Sequence, residues 1–173
     1  MAQTDLHHGR GDGSLSDTRT LPLLPVPGGA VFPEMVVTVA LESAESRAAA
    51  DAASDDAIVL VPRVEGRFAT VGAIAHIENR GTLRNGLPAL TIRAIDRAAI
   101  GVGVIGTGDA LWVEATPLPP ETSERTASLA AAYRTVATRL LEALGGGRAG
   151  VELPGTEDPS SLADTIAYWP DLD

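Results

Sequence analysis

Between Thr20 and Thr116 the apolar residues fall in short runs and alternations rather than long stripes, the pattern of strands separated by turns. Leu21–Val26 predicts an edge strand, because Pro22 and Pro25 have no N–H to give to a central ladder. Met35–Leu41 predicts a second strand, with Val37, Val39 and Leu41 on one face. Pro27, Gly28 and Gly29 turn the chain between them, and Phe32-Pro33 holds it extended, since the residue before a proline avoids the α region. Alanine-rich Ser43–Ser54 predicts one short helix with Ser43 as N-cap. The continuous apolar run Ala57–Val61, ended by Pro62, predicts a strand covered on both faces. Thr70–Leu83 and Leu87–Ile100 flank Asn85-Gly86, a dipeptide suited to a type I′ hairpin turn. On the return strand Leu90, Ile92 and Ala94 alternate with Thr91 and Arg93, and Leu111–Ala115 closes the strand series.

The pattern changes at Pro117, Pro119 and Pro120, which end the sheet region like a linker. Beyond them Leu129, Tyr133, Val136, Leu140 and Leu144 recur at helical spacing, the stripe of one amphipathic helix stopped by Gly145-Gly146-Gly147. Asp158-Pro159, an N-cap residue followed by proline at the first helical position, starts a last short helix through Leu162 and Ile166 toward Tyr168 and Trp169. With Trp169 and Leu172 left little to cover them, the expectation is a boundary cut through a larger protein. Residues 1–18 are polar and Gly-rich and predict a flexible tail. The expected division is therefore a tail over 1–18, a β domain over 19–118 and a helical subdomain over 119–173.

Composition narrows the classes of function. At 173 residues the chain can bury a real core, but with 3% aromatic residues that core must be built from Ala, Val, Leu and Ile. No apolar run approaches a membrane span and the opening residues lack a secretory signal, so the expected compartment is the cytoplasm, with no membrane partner. The absence of cysteine excludes disulfides and thiolate metal sites. A net charge of -10 disfavours nucleic acid, whose binding needs Lys and Arg against phosphates. All 13 basic residues are arginine. Without lysine there is no P-loop lysine, no Schiff base and no Ser-Lys dyad.

No constellation for catalysis emerges, and no catalytic residue is assigned. His7 and His8 sit in the tail without further ligands, and Arg10-Gly11-Asp12 there is a chance tripeptide. His76, in the strand Val71–Glu78, reads as a surface or hydrogen-bonded histidine. Gly101-Val102-Gly103-Val104-Ile105-Gly106 matches a dinucleotide fingerprint by letter, but no helix follows it, so a bulged strand and turn is expected. Asp51, Asp55 and Asp56 lack the spacing and loop glycine of a calcium site and read as a solvated helix end. No metal site is expected. Arg80, Arg84, Arg93 and Arg97 could line an RNA groove, but they read better as the solvated face of the hairpin.

The order of the pieces is more informative than any one of them. Leu21-Pro22-Leu23-Leu24-Pro25-Val26 followed by Val31-Phe32-Pro33-Glu34-Met35-Val36 resembles the opening of the N-terminal domain of Lon, the ATP-dependent serine protease family. Thr70–Ala75, the Asn85-Gly86 hairpin, Leu90–Ile100 and Asp158–Ala167 are similar to later pieces of that domain, in the same order. Gly28-Gly29, Thr38 and Ala94 depart from the family, where charged residues, proline and glycine respectively are usual. The resemblance implies an α+β fold: a PUA-like β pseudo-barrel of about six strands with one short helix, followed by the start of a helical bundle. It also implies a module that captures unfolded or damaged proteins and meets neighbouring subunits of a hexamer. ATP and Mg would belong to the parent's ATPase domain and bond cleavage to its Ser-Lys peptidase domain, and the fragment itself needs no cofactor. A stand-alone adaptor with a Lon-like domain and no protease is the other reading. Phe32, Pro33 and Met35 are the candidate substrate-binding residues: proline rigidity lowers the cost of ordering, and methionine adapts to varied partners. The plainer reading is that Phe32 and Met35 plug the end of the barrel.

Overall fold

The structure, a computed structural model, describes residues 17–27, 29–120, 123–143 and 158–164. Seven strands form one sheet: β1 (Arg19–Pro27), β2 (Val36–Ala40), β3 (Ala57–Val64), β4 (Arg67–Phe68), β5 (Val71–Thr82), β6 (Pro88–Val104) and β7 (Trp112–Pro117). Helix α1 (Ala44–Ala52) lies between β2 and β3, and α2 (Glu124–Ala143) and α3 (Pro159–Asp164) follow the sheet. The order β1-β7-β6-β5-β3 closes on itself because β1 also pairs with β3. All pairings are antiparallel except β1 with β3.

That closure corrects the edge-strand expectation for Leu21–Val26. The first half of β1 runs antiparallel to β7, from Arg19 opposite Ala115 to Pro22 opposite Trp112. Its second half runs parallel to β3, from Leu23 opposite Val59 to Pro27 opposite Arg63. Each residue of β1 thus carries one ladder, which is why prolines survive there, yet the strand as a whole seals the barrel. Pro62 likewise fails to end its strand. β3 runs on to Val64, and Pro62 serves as an acceptor, its carbonyl taking the Ala69 N–H at 2.9 Å.

Two hydrophobic clusters lie on opposite faces of β1, β3 and β5. Leu21, Leu23, Val59, Val61, Ile74 and Val113 fill the closed barrel. Leu24, Ile58, Leu60, Ile77, Leu90 and Ile92 form the other, under α1. Consecutive residues of Ile58–Val61 therefore go to different cores, the doubly covered strand that the apolar run predicts. The 17-residue β6 serves both clusters, with Leu90, Ile92 and Ala94 in one and Ala98 in the other. Register shifts against β5 at Ile74/Ala75 and against β7 between Ile100 and Gly103 let it bend. The glycine-rich letters from Gly101 thus fall in a bulged strand with no helix after it.

The hairpin turns exchange types. At Asn85-Gly86 only Gly86 has positive φ (85°); the Leu83 N–H donates to the Leu87 carbonyl and the Gly86 N–H to the Leu83 carbonyl. This is a three-residue loop, a type I turn ending in a left-handed glycine, and not the type I′ turn expected. The positive-φ pair sits instead at Glu65 (50°) and Gly66 (80°), between the paired Val64 and Arg67.

Ser43 caps α1 in a reciprocal box with Ser46. Ser123 and Thr126 do the same for α2. The predicted stripe on α2 is only partly inward: Tyr133 and Leu140 are half-buried and Ala137 is buried, but Leu129 and Val136 are exposed. Asp158 caps α3, accepting from the Ser161 N–H and hydroxyl, each at 2.8 Å. The expected tail through Asp17's predecessors, the glycine stop at Gly145–Gly147, and the end of the last helix at Ile166, Tyr168 and Trp169 lie outside the described residues.

Candidate functional site

The segment that leads into β2 is a turn held against the barrel. Pro33 and Glu34 occupy its corner, the Met35 N–H donates to the Phe32 carbonyl at 3.2 Å, and Glu34 has φ 67°. Proline followed by a left-handed residue makes this a type II turn. The Glu34 N–H donates to the Ala94 carbonyl at 3.0 Å, and the Ala94 N–H to the Met35 carbonyl at 2.9 Å. Opposite the turn, Ile95 is the extra residue of the β6 bulge and is exposed.

All three sequence candidates, Phe32, Pro33 and Met35, are half-buried here. The Met35 sulfur accepts from the Phe32 N–H at 3.3 Å, and the Arg97 guanidinium sits 5.8 Å from the centre of the Phe32 ring. Pro33 lines a cleft of about 540 Å³ with Ile95, Leu118 and residues of α3. Arg97 crosses the same cleft to Asp164, which is buried on α3. Burial pushes the Asp164 carboxyl up from its ordinary range, against the pull of Arg97, and the Asp158 charge pushes it the same way. Asp158 is held below its ordinary range by the bonds from Ser161.

A second concavity, missed by the sequence reading, runs along the other side of β2. This groove of about 450 Å³ is mostly apolar and lies between Val37–Ala40, the end of β1 at Pro25–Pro27, and the start of α1. Val31, Glu42, Glu45 and Arg63 also line it, with Arg63 paired to Glu45 at 3.1 Å. Its signal was present in Val37 and Val39, half-buried on the core rather than covered.

The arginines do not form a bare face. Arg80 donates to the Ala50 and Ala53 carbonyls and to Asp56, Arg93 pairs with Glu78, and Arg97 pairs with Asp164. His76 is exposed on β5. Among the described residues no three His, Asp or Glu side chains gather to hold a metal ion, and no helix is long and apolar enough to cross a membrane.

A family model described as the ATP-dependent protease La (LON) substrate-binding domain matches residues 20–173. The chain belongs to the Lon substrate-binding domain family. It is 39% identical over 152 residues to the Lon protease of Salinispora arenicola, a match covering 86% of this chain and 20% of that protein. It is 35% identical over 158 residues to the Lon protease of Mycolicibacterium smegmatis, covering 89% of this chain and 20% of that one. This Lon domain thus spans about a fifth of the length of those relatives. Its fold matches the N-terminal domain of Mycobacterium avium complex Lon protease with a TM-score of 0.77 and 35% identity, over 90% of this chain and 85% of that one. It also matches a Lon N-terminal domain protein from Xanthomonas campestris with a TM-score of 0.54 at 16% identity, a likeness of fold.

Proposed function

We propose that this Lon domain is the substrate-recognition and assembly module of an ATP-dependent protease, capturing unfolded or damaged proteins through apolar contacts. The observation that carries this reading is the mostly apolar groove between Val37–Ala40, Pro25–Pro27 and the start of α1, built on a closed barrel. An unfolded protein is distinguished from a folded one by its exposed apolar side chains. Each one buried contributes about 1.5 to 3 kcal/mol before the cost of ordering is subtracted. Two or three such contacts leave affinities from about micromolar to millimolar. Weak single contacts suit a module repeated around a hexamer, where avidity holds the substrate while each contact stays releasable.

In this reading Phe32, Pro33 and Met35 supply a rigid corner leading into β2, and Pro33, which lines the cleft beside α3, touches substrate. ATP, Mg and the Ser-Lys peptidase chemistry belong to further domains of a parent enzyme acting in the cytoplasm. The adaptor alternative has no observation in its favour.

The test is a fluorescence titration of the domain with pancreatic trypsin inhibitor in two forms: reduced and S-methylated, which stays unfolded, and native. Saturable binding of the unfolded form alone is expected. Equal binding of both forms, or of neither, would contradict capture.

A further inference from the structure

Among the described residues β2 hydrogen-bonds to β6 and to no other strand. The Leu41 N–H donates to the Pro88 carbonyl at 2.8 Å, and the Met35 carbonyl accepts from Ala94. The odd-numbered residues of this stretch therefore turn their backbone groups toward β6. By the alternation of an antiparallel ladder, the N–H and C=O groups of Val36, Thr38 and Ala40 point the other way, and of these residues Thr38 and Ala40 line the groove. The facing wall, Pro25 and Pro27, has no N–H to offer them. A row of donors and acceptors without partners among the described residues, beside an apolar trough, selects one chemistry, an extended polypeptide backbone.

Resting on the capture reading, we propose that the groove takes an extended segment of an unfolded chain as an added strand on the outer edge of β2. Backbone bonds to Val36, Thr38 and Ala40 hold it, so no sequence code is needed. Alternate side chains of the segment fall on the face shared with Val37 and Val39, which asks for apolar residues there. The groove's charged lining residues are Glu42 and Glu45 against a single arginine, Arg63, and the whole chain carries -10. The preferred segment is therefore apolar in alternation and flanked by basic residues.

The test uses the whole chain and the capped heptapeptide Arg-Val-Thr-Val-Thr-Val-Arg. One derivative is N-methylated on the valine amides, another on the threonine amides. Each removes one edge's donors while keeping the side chains. The parent peptide should bind, and one of the two derivatives should lose about tenfold or more in affinity, the effect of two or more hydrogen bonds. Thr38→Pro removes an outward N–H and no β6 bond, and proline is tolerated on the solvent side of an edge strand. It should keep its thermal midpoint and weaken the parent peptide about fivefold. If both derivatives bind as tightly as the parent, the edge grip is wrong while apolar capture stands. If the unfolded inhibitor binds and the peptide does not, the edge grip is again wrong. If neither binds, capture itself fails. Should Thr38→Pro unfold, the methylated pair decides alone. A concentration-dependent dimer in sedimentation of the free chain, dissolved by Thr38→Pro, would give the edge to a second copy and overturn the proposal.

Discussion

Glu34 and Glu65 both hold left-handed backbone, at φ 67° and 50°. For a residue with a Cβ this conformation costs about 1 to 2 kcal/mol, so each marks a place where the turn overrules its residue. Glu65→Asn suits the type I′ corner better and should raise stability by up to about 1 kcal/mol in urea unfolding; a loss would refute the turn assignment. Glu34→Gly should be neutral or stabilising for the same reason, set against the entropy that glycine loses on folding. Gly72 presents the opposite case. A Cβ there would lie 2.5 Å from the Leu60 carbonyl oxygen, a backbone atom of the neighbouring strand. Gly72→Ala should therefore cost about 1 to 3 kcal/mol, and an unchanged urea midpoint would mean that β3 and β5 can part there. The positive φ of Glu34 and Glu65 was not legible in the sequence, because glutamate carries no turn signal. Gly86 was legible as a left-handed residue, but its neighbour Asn85 adopts negative φ, which only the loop length decides.

Elements read best where their signals are local. Ser43 and the alanine run define α1, and the alternation of Leu90, Ile92 and Ala94 defines the buried face of β6. Arg80 shows what locality misses: from the hairpin it reaches the last carbonyls of α1, capping a helix 27 to 30 residues earlier in the chain. Arg80→Ala should destabilise the domain by about 1 to 2 kcal/mol, with the largest loss of hydrogen-exchange protection in α1. The edge reading of β1 failed for a related reason. Prolines report that one side of a strand is unbonded at those residues, and cannot report that the two halves use different partners. On α2 the apolar spacing gave the helix but not its buried face, since exposed Leu129 and Val136 share the pattern with half-buried Tyr133 and Leu140.

The docking of α3 makes a prediction about pH. Asp158 is shifted below 3.8, so the stability it contributes is present above that value and is lost as pH falls through its lowered folded-state pKa. Asp164 is shifted above 3.8, so its burial costs stability at neutral pH, and that cost is relieved as pH falls through its raised pKa. Mild acidification toward about pH 5 should leave α3 in place or tighten it, and loosening should begin only below about pH 4. Asp164→Asn should abolish any tightening. Amide spectra of Ser161 and Leu162 across this range would check both, and loosening between neutral pH and about pH 5 would contradict the balance of burial against Arg97.

At the scale of the whole molecule, a closed barrel holds one core inside and a second outside under α1, and β2 is left with one bonded edge. The barrel was legible from the succession of strands and its resemblance to Lon. The groove was not, because it depends on which strands fail to meet: β2 and the end of β1 run past one another without pairing. Of Phe32, Pro33 and Met35, only Pro33 lines the α3 cleft and none lines that groove, positions that sequence could mark as unusual but not assign to a surface. The most direct measurement is an amide-shift map of the isotope-labelled chain titrated with the reduced, S-methylated inhibitor. Progressive shifts are expected across Val31–Leu41 and the facing Val26, with the hairpin tip at Arg84–Gly86 unmoved. Binding that leaves Val31–Leu41 unshifted would contradict it.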